Sequence, residues 1–484
     1  MENKEWQKQF VEVAQPHIDK CGVPGVYVGL NKDGQSIYRH GFGYRDKERQ
    51  LAITPDTVMG VASITKSFTC AAIMQLQEAG RLRVHDPVLA YLPEFRTPDQ
   101  SCTEKMTIHH FMTHTSGLPL LPTDYLAIKG LPDGNIEDED HPIHKQIKKE
   151  DQKWVHTYED FMEVISKTDF QLLGQPGARF NYSNDAYSLL GAIIERVSGK
   201  TYETYIKEHI LQPAGMHNSS FDLQDLQHYK EVTTIYRLKN EARDIEVYPD
   251  PKWEEGPVVL ASGHLNSTVH DMLRYTEIYR TGGLVGSERI LSKESVEQMT
   301  HPHVQAGYGQ YYGYGLFVTP NYYGATKLEH SGGLKGVASQ MVIIPERGIT
   351  GIAMANLAET PIIELLNYAV HSLENRPATS PSLPFPTECS INEAQLRQYT
   401  GTYRAGANHD RQVMMEQGAL VLDLGGNKVP LRPIGDDYFV MKLDEEEQAI
   451  RFQRDESGNV SGISIGVLYL VKLADENVND GKEV

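Results

Sequence analysis

Ser63-Ile64-Thr65-Lys66 places a hydroxyl and an amine three residues apart. The pattern around it predicts a helix over 64–80, so Ser63 lies at the positive end of the helix dipole, where a developing alkoxide is stabilised. Side chains three residues apart share a helical face, about 5–6 Å from each other at their Cβ atoms. Lys66 can therefore take or relay the serine proton, provided that partial burial lowers its pKa. An N-cap serine followed by a solvated lysine is the alternative interpretation.

Tyr182-Ser183-Asn184 forms a second polar group, between an extended run that ends at Phe180 and a predicted helix over 186–197. A tyrosine phenol beside a lysine can act as a base, because the ammonium favours the phenolate. The amide of Asn184 offers both a donor and an acceptor to a substrate amide and to Lys66. An ordinary core aromatic is the alternative interpretation of Tyr182.

His330-Ser331-Gly332-Gly333 is the third group, and it precedes a predicted strand over 340–344. Glycines on an edge strand allow a substrate backbone to approach closely. The backbone N–H of Gly333 can then join that of Ser63 as an oxyanion hole. The three groups thus offer a nucleophile, a proton-handling pair and a site for a developing negative charge.

In this order, the three segments resemble those of the serine β-lactamase and penicillin-binding-protein superfamily. The resemblance is to the branch that contains class C β-lactamases, D-aminopeptidases and related esterases, and it covers residues 7–370. Four further segments are similar to landmarks of that branch: Pro55-Asp56-Thr57, Phe111-Met112-Thr113-His114-Thr115-Ser116-Gly117-Leu118, Pro213-Ala214-Gly215-Met216 and Tyr312-Gly313-Tyr314-Gly315-Leu316.

The resemblance implies a role for each residue. Ser63 is the acylated nucleophile, Lys66 and Tyr182 handle its proton, and the N–H groups of Ser63 and Gly333 hold the oxyanion. The residues implied to bind the substrate are Asn184, His330, Ser331 and Gly332. Water then attacks the acyl-enzyme, so the implied reaction is hydrolysis in two steps, with no cofactor and no metal ion.

One departure from the family pattern concerns the substrate. β-Lactamases and D,D-peptidases usually have Lys-Thr-Gly where this chain has His330-Ser331-Gly332. That lysine is a fixed cation for the substrate carboxylate, whereas a histidine is largely neutral near pH 7. The expected substrate is therefore a small amide or ester, including peptides that contain D-amino acids. The alternatives are a β-lactamase or D,D-carboxypeptidase proper, and a non-catalytic sensor or binding protein of the same fold.

The elements that must position these residues have an α+β pattern. Strands are predicted over 26–30 and 36–40, joined as a hairpin across Asp33-Gly34, and again over 340–344 and 351–355. Helices are predicted over 64–80, 186–197 and 271–280. We therefore expect an antiparallel sheet formed by the two ends of this region, flanked by helices, with an inserted helical subdomain. The polar segment 131–153 is predicted to be a solvated insertion, with a lid over the cleft as the alternative.

The chain beyond residue 375 has a different composition and a different pattern of predicted elements. Four prolines within 377–386 predict a semi-rigid linker over 376–387. Short strand-like runs follow at even spacing: 399–403, 412–415, 419–422, 438–441 and 449–452. They predict a small all-β barrel or sandwich, similar to the lipocalin-like barrels appended to some members of the family. The predicted organisation is thus a domain over 1–375, the linker, and a barrel domain over 388–484 that caps the cleft, selects substrate size or mediates self-association into a homo-oligomer.

Composition excludes several classes of partner. The 484 residues include 46 basic and 65 acidic side chains, a formal net charge of −19, which disfavours nucleic acid and anionic lipid. The sequence has no apolar run of about 18 residues and no apolar stretch near Met1, so neither a membrane span nor a secretory signal is predicted. We therefore expect a cytoplasmic protein with a small-molecule or short-peptide substrate.

Other chemistries find little support in the sequence. Cys21, Cys70, Cys102 and Cys389 are scattered without CxxC spacing, which disfavours both a disulfide framework and a zinc site. His110 and His114 have the i,i+4 spacing of two metal ligands on a helix, but no third ligand has a matching spacing. Core histidines are the alternative. Neither a GxSxG nucleophile elbow around Ser63 nor a phosphate-binding P-loop is present.

Overall fold

A computed structural model of the chain describes residues 5–128, 153–241, 244–405, 409–443 and 446–473. Its α-helices are α1 (Glu5–Cys21), α2 (Thr65–Glu78), α3 (Gln100–Thr103), α4 (Ile108–Met112), α5 (Thr123–Ala127), α6 (Tyr158–Lys167), α7 (Asn184–Ser198), α8 (Tyr202–Ile206), α9 (Leu260–Gly263), α10 (Val269–Thr281), α11 (Lys293–Met299), α12 (Ile362–Leu373) and α13 (Glu393–Leu396).

The strands before residue 360 are β1 (Gly25–Lys32), β2 (Gln35–Asp46), β3 (Leu51–Ala52), β4 (Met59–Gly60), β5 (Tyr236–Glu241), β6 (Asp244–Pro249), β7 (Asn266–Ser267), β8 (Leu284–Val285), β9 (Glu288–Arg289), β10 (Val304–Gly307), β11 (Gln310–Tyr312), β12 (Phe317–Tyr322), β13 (Ala325–Leu334), β14 (Val337–Ile344) and β15 (Ile349–Ala355). Those after it are β16 (Gly401–Ala405), β17 (His409–Glu416), β18 (Ala419–Asp423), β19 (Lys428–Gly435), β20 (Tyr438–Leu443), β21 (Glu446–Arg454), β22 (Val460–Ile465) and β23 (Leu468–Lys472).

The large sheet joins the two ends of the first 373 residues. Its nine strands follow the order β10-β11-β12-β13-β14-β15-β1-β2-β3, so the N-terminal hairpin adds to strands from the far end of the region. β1 pairs antiparallel with β15 (Val26↔Ala355) and with β2 (Val26↔Phe42). The β1–β2 turn has positive φ at Asp33 (52°) and Gly34 (75°), as a tight hairpin requires. The predicted α+β architecture is confirmed.

Helices cover both faces of this sheet. On β1, Val28 and Leu30 pack in a cluster with Phe10 of α1 and Leu365 of α12. Tyr27, the residue before Val28, faces the opposite cluster with Phe68 of α2. Because successive side chains of a strand point to opposite faces, a sheet buried on both sides has strands that are apolar throughout. α2 lies in the middle of the second layer, and every residue from Thr65 to Met74 is buried.

The three longer predicted helices are present as α2, α7 and α10. The predicted insertion over 131–153 lies outside the described residues, apart from Lys153. Across the described part of the chain, no helix combines the length and the apolar character that crossing a bilayer demands.

The C-terminal strands close into an eight-stranded barrel, β16 to β23 in sequence order. Each strand is antiparallel to the next, and β16 closes the barrel against β23 (Tyr403↔Lys472). The predicted barrel is confirmed, and the structure adds β19, β22 and β23 to the strands that the sequence pattern indicated. Large side chains fill the interior, among them Tyr403, Phe439 and Phe452, so the described interior is a packed core.

The proline-rich segment is fixed to the preceding region. The carbonyl of Ala378 accepts a hydrogen bond from His371, and that of Pro381 accepts one from the Tyr323 hydroxyl (2.6 Å). Further on, Phe385 packs with Tyr308 of the first region and Tyr438 of the barrel. The proline-rich segment therefore contacts both the first region and the barrel that it connects.

Candidate active site

Ser63 lies in a single 3-10 turn, Ala62–Ile64, that leads directly into α2. Ala62 has a φ of +47°, a left-handed conformation that is uncommon for a residue with a side chain. Two hydroxyls hold this turn: Thr65 donates to the Ala62 carbonyl (2.7 Å) and Ser339 of β14 donates to the Val61 carbonyl (2.7 Å). The strained turn is thus fixed both by its own helix and by the large sheet, so that it presents Ser63 in one orientation.

Lys66 is fully buried at the start of α2. Its Nζ donates to Ser63 Oγ (3.1 Å) and to the backbone carbonyl of Ser262 on α9. The same Nζ lies 4.8 Å from the ring centroid of Tyr182 and 5.5 Å from that of Tyr187. The structure therefore brings the serine and the lysine together, with two aromatic faces around the amine.

Tyr182 completes the group around Ser63, because its ring lies 4.8 Å from the same Lys66 Nζ that donates to Ser63 Oγ. Burial raises the pKa of Tyr182 above its ordinary value, and the neighbouring Ser63 side chain offsets this only in part. A nearby ammonium was expected to favour the phenolate, but in the structure the effect of burial prevails. The neutral phenol is the resting form near pH 7.

Asn184 is placed by the beginning of α7. Ser183 is the N-cap of this helix, and its side chain accepts a hydrogen bond from the N–H of Ala186. Tyr182 precedes the cap and Asn184 follows it as the first helical residue, so one capped helix start presents both side chains. Each is partly exposed, in contrast to the buried Ser183 between them.

Strand β13 has a free edge beside Ser63. Its pairing with β12 ends at Phe317↔Glu329, whereas its pairing with β14 continues to Leu334↔Val337. At Gly332 a Cβ atom would lie 2.3 Å from the Val61 carbonyl oxygen, so the strand packs directly against the nucleophile turn. Gly333 is exposed, and a Cβ atom there would meet nothing within 4 Å. The structure thus brings β13 against the turn before Ser63 at Gly332 and leaves the next residue, Gly333, open.

His330 lies on the same strand, but its imidazole is buried. Nδ1–H donates to the Ser331 carbonyl (2.6 Å), and Nε2 accepts from the Tyr312 hydroxyl (3.1 Å). Burial lowers the pKa of His330 to about 3, and the nearby charge of Lys66 adds to this. The ring is therefore neutral, and both of its nitrogens are engaged within the protein.

The segment 312–316, which resembles a characteristic segment of the family, packs against the first turn of α2. At Gly315, which has a φ of +75°, a Cβ atom would lie 2.7 Å from Ser67 Cα and 2.8 Å from the Lys66 carbonyl oxygen. A side chain there would displace the first turn of α2, which explains the glycine.

Sequence reasoning missed the contribution of the barrel. The turn between β22 and β23 reaches the segment before α7, where the N–H of Tyr182 donates to the Val467 carbonyl (3.0 Å). Next to it, Asn181 Oδ1 accepts from the N–H of Tyr469 (2.9 Å), and Arg179 donates to the Tyr469 hydroxyl (2.7 Å). Backbone carbonyls carry no signature in a sequence, so no motif could have indicated the part played by Val467 or by Ser262.

The proposed pair of metal ligands does not share a helical face. α4 ends at Met112, and His114 beyond it has a φ of +55°. His110 uses its Nδ1 to accept the N–H of Thr107. Within the described ranges, no group of three or more His, Cys, Asp and Glu side chains is placed to hold a metal ion.

A model of the Beta-lactamase family matches residues 10–373, and one described as a domain of unknown function (DUF3471) matches residues 386–480. The chain is 28% identical over 426 residues to penicillin-binding protein 4* of Bacillus subtilis strain 168, covering 84% of this chain and 86% of that protein.

Solved structures share the whole architecture. The octameric penicillin-binding protein homologue from Pyrococcus abyssi has a TM-score of 0.66 at 29% identity, covering 98% of this chain and 100% of the other. SurE, also solved with D-Leu, has a TM-score of 0.70 at 21% identity, covering 97% and 99%, a likeness of fold alone. With the family match spanning most of its length, this chain belongs to the Beta-lactamase family, within the superfamily of serine hydrolases related to β-lactamases and penicillin-binding proteins.

Proposed function

We propose that the protein hydrolyses a small amide or ester through an acyl-enzyme on Ser63. One observation carries the proposal: the buried Lys66 amine donates to Ser63 Oγ (3.1 Å) and lies 4.8 Å from the ring centroid of Tyr182. A serine with an amine on its oxygen and a phenol beside that amine is equipped to lose its proton as it attacks a carbonyl carbon. A binding protein that performs no chemistry does not need this arrangement.

The proton of Ser63 passes to the Lys66–Tyr182 pair as Oγ attacks. While the phenol and the amine both hold their protons, the pair has no site to receive another. The reactive form is therefore the one in which the pair has lost one proton. After the attack the pair returns a proton to the leaving group, and the same steps with water release the acyl group.

The backbone N–H groups of Ser63 and Gly333 are proposed to hold the oxyanion of the tetrahedral intermediate. The contact between Gly332 and the Val61 carbonyl, just before Ser63, supports this pairing, because Gly333 is the next residue of the same strand. The unpaired edge of β13 from His330 onward also leaves backbone groups free for an extended substrate. Asn184, at the open start of α7, is proposed to bind the substrate amide.

The substrate is proposed to lack a carboxylate next to the scissile group. His330 is neutral and its two nitrogens are engaged, so it supplies neither a charge nor a free N–H to an anion. This disfavours the alternative of a β-lactamase or D,D-carboxypeptidase proper. Peptides or amides of D-amino acids are the proposed class, in line with the family branch that the motifs resemble and with the D-Leu bound by SurE.

Self-association is proposed as a further property, because the Pyrococcus homologue is octameric.

A fluorophosphonate ester is expected to label Ser63, and the Ser63→Ala variant is expected to lose both the label and all turnover. Tyr182→Phe is expected to lower kcat by about 10²–10⁴, the range for one acid–base group. Mass spectrometry of the labelled peptide and steady-state kinetics with a p-nitrophenyl ester measure these effects. Ser67→Ala is the matched control, because Ser67 lies on the same helix but bonds to Tyr275. Label on another serine, or an active Ser63→Ala protein, would refute the assignment.

The activity is expected to rise with pH. Burial raises the pKa of Tyr182, so the form that has lost one proton is scarce at neutral pH and grows as pH increases. We expect log kcat/KM for an uncharged ester to rise with a slope near one from roughly pH 6 to 8. His330 is not expected to add an inflection near pH 6.5, since its pKa is lowered to about 3. A flat profile, or one that falls with increasing pH, would contradict the role given to the pair.

An amide of a D-amino-acid peptide is expected to react faster than the same peptide with a free carboxylate. The kcat/KM of the amide is expected to exceed that of the carboxylate by about 10–100-fold. This factor corresponds to the free energy of one charge-assisted hydrogen bond, which the site cannot offer. His330→Lys is expected to reduce this ratio and to raise the hydrolysis of a chromogenic cephalosporin. His85→Lys, which adds the same charge at an exposed position, controls for overall charge. A wild-type preference for the carboxylate would show that recognition does not depend on position 330.

Two neighbouring glycines give a matched pair of substitutions on β13. Gly332→Ala would place a Cβ atom 2.3 Å from the Val61 carbonyl oxygen, so the strand must move away from Ser63, whereas Gly333→Ala meets no atom within 4 Å. The labelling rate of Ser63 is expected to fall by about 100-fold in Gly332→Ala, as for a misplacement near 1 Å, and by less than about threefold in Gly333→Ala. Equal effects of the two substitutions would rule out the proposed contact.

A further inference from the structure

The residues on either side of Tyr182 are held by a single histidine. The N–H of Asn181 donates to the carbonyl of His114 (2.8 Å), and the N–H of Ser183 donates to Nδ1 of the same residue (3.0 Å). His114 therefore binds the backbone before and after Tyr182, once with its main chain and once with its side chain. Its φ of +55° turns the chain just after α4, so that the carbonyl and the ring face the same segment.

The imidazole also supports the ring of Tyr182. The two rings stack with centroids 4.1 Å apart and an angle of 29° between their planes. Tyr187 and Tyr312, each 4.8 Å from the imidazole centroid, enclose it further. His114 has no exposed surface, so this ring is a fixed support beneath the phenol.

The hydrogen bonds define the protonation state of His114. Nδ1 accepts from Ser183 and so carries no proton, and burial lowers the pKa of the ring well below its ordinary value. The groups that face it are the Lys66 charge, the neutral His330 and the surrounding phenols of Tyr182, Tyr187 and Tyr312. A second positive charge beside Lys66 would be unfavourable, so the ring is neutral with its proton on Nε2. That nitrogen is buried, and none of the described residues bonds to it.

We propose that His114 is a positioning residue for the proposed acyl transfer: a neutral Nε2–H imidazole that fixes the backbone and the ring of Tyr182 so that the phenol reaches Ser63. The role demands two properties at one position, a flat ring that stacks and an acceptor that receives the Ser183 N–H. Phenylalanine keeps the first property and loses the second. Asparagine keeps an acceptor at a similar place and loses the ring. Nothing in this role requires His114 to touch substrate, and the inference rests on the proposed function of Ser63 and Tyr182.

The test compares His114→Phe and His114→Asn with wild type in ester hydrolysis and in labelling of Ser63 by a fluorophosphonate. His114→Phe is expected to lower kcat by about 100-fold with KM within about threefold, because the phenol is misplaced while the binding groups remain. His114→Asn is expected to recover to within about tenfold of wild type. An unchanged kcat in His114→Phe would overturn the proposal.

The decisive arm repeats His114→Phe in the Tyr182→Phe background. If His114 acts through the hydroxyl of Tyr182, a variant that already lacks this hydroxyl has little more activity to lose. The labelling rate of the double variant is then expected to be less than about threefold below that of Tyr182→Phe alone. A full 100-fold loss in that background would show that His114 acts in another way.

His371 provides the matched control. It is also buried, lies parallel to a tyrosine ring (Tyr322, 6.1 Å and 12°) and bonds through Nδ1 to a backbone carbonyl, that of Ala378. His371→Phe and His371→Asn are expected to lower thermal stability without a selective loss of kcat. A loss of kcat as large as that of His114→Phe would mark the effect as one of general packing.

A measurement on the wild-type protein depends neither on the folding of a variant nor on catalysis. Nitrogen-15 NMR of histidine-labelled protein is expected to show His114 as the Nε2–H tautomer at every pH from about 5.5 to 9. A ring that titrates in this range, or the Nδ1–H tautomer, would overturn the proposal even if a variant failed to fold. Absence of label on Ser63 of the wild type would instead refute the proposed function and leave this result unaffected.

Discussion

The site depends on the burial of one ammonium group. Lys66 has no exposed surface, and a charge removed from water is tolerated only where hydrogen-bond acceptors replace the water. Those acceptors come from separate elements: Ser63 Oγ from the turn before α2, and the Ser262 carbonyl from α9. The faces of Tyr182 and Tyr187 come from the start of α7. Because α9 and the start of α7 are far from Lys66 in sequence, the burial of the lysine depends on the packing of α2, α7 and α9 against one another.

Several features could be predicted from sequence because they are local. The serine and the lysine are three residues apart, so their spacing alone predicts that they meet on one side of the helix start, and the distance of 3.1 Å from Nζ to Oγ agrees with this. The Asp33-Gly34 turn and the alternation in the short C-terminal runs are equally local, and both the hairpin and the barrel are present. The joining of β1 to β15 is not local. This pairing could be predicted because apolar strands occur at both ends of the region and can form one sheet together.

Other features could not be predicted, because they arise from tertiary packing. The pKa of Tyr182 depends on how much water reaches the phenol, and sequence gives the neighbouring lysine but not the burial that opposes it. His114 is a similar case. Its i,i+4 spacing from His110 indicates a shared helical face only while the helix continues, and α4 ends at Met112. The positive φ of His114 then turns the ring toward Tyr182, on which it stacks.

The barrel takes part in positioning Tyr182, because it bonds to the backbone of that residue. Three successive N–H groups, those of 181, 182 and 183, lie where the chain turns into α7, and buried backbone donors require acceptors. His114 supplies two of the acceptors, and the third is the Val467 carbonyl of the barrel. Asn181 reinforces the same joint by accepting the N–H of Tyr469. The position of the Tyr182 phenol is thus fixed jointly by the β-lactamase-like region and the barrel. A domain that only covered the cleft would not need to bond to the backbone of Tyr182, the residue proposed to handle the proton of Ser63.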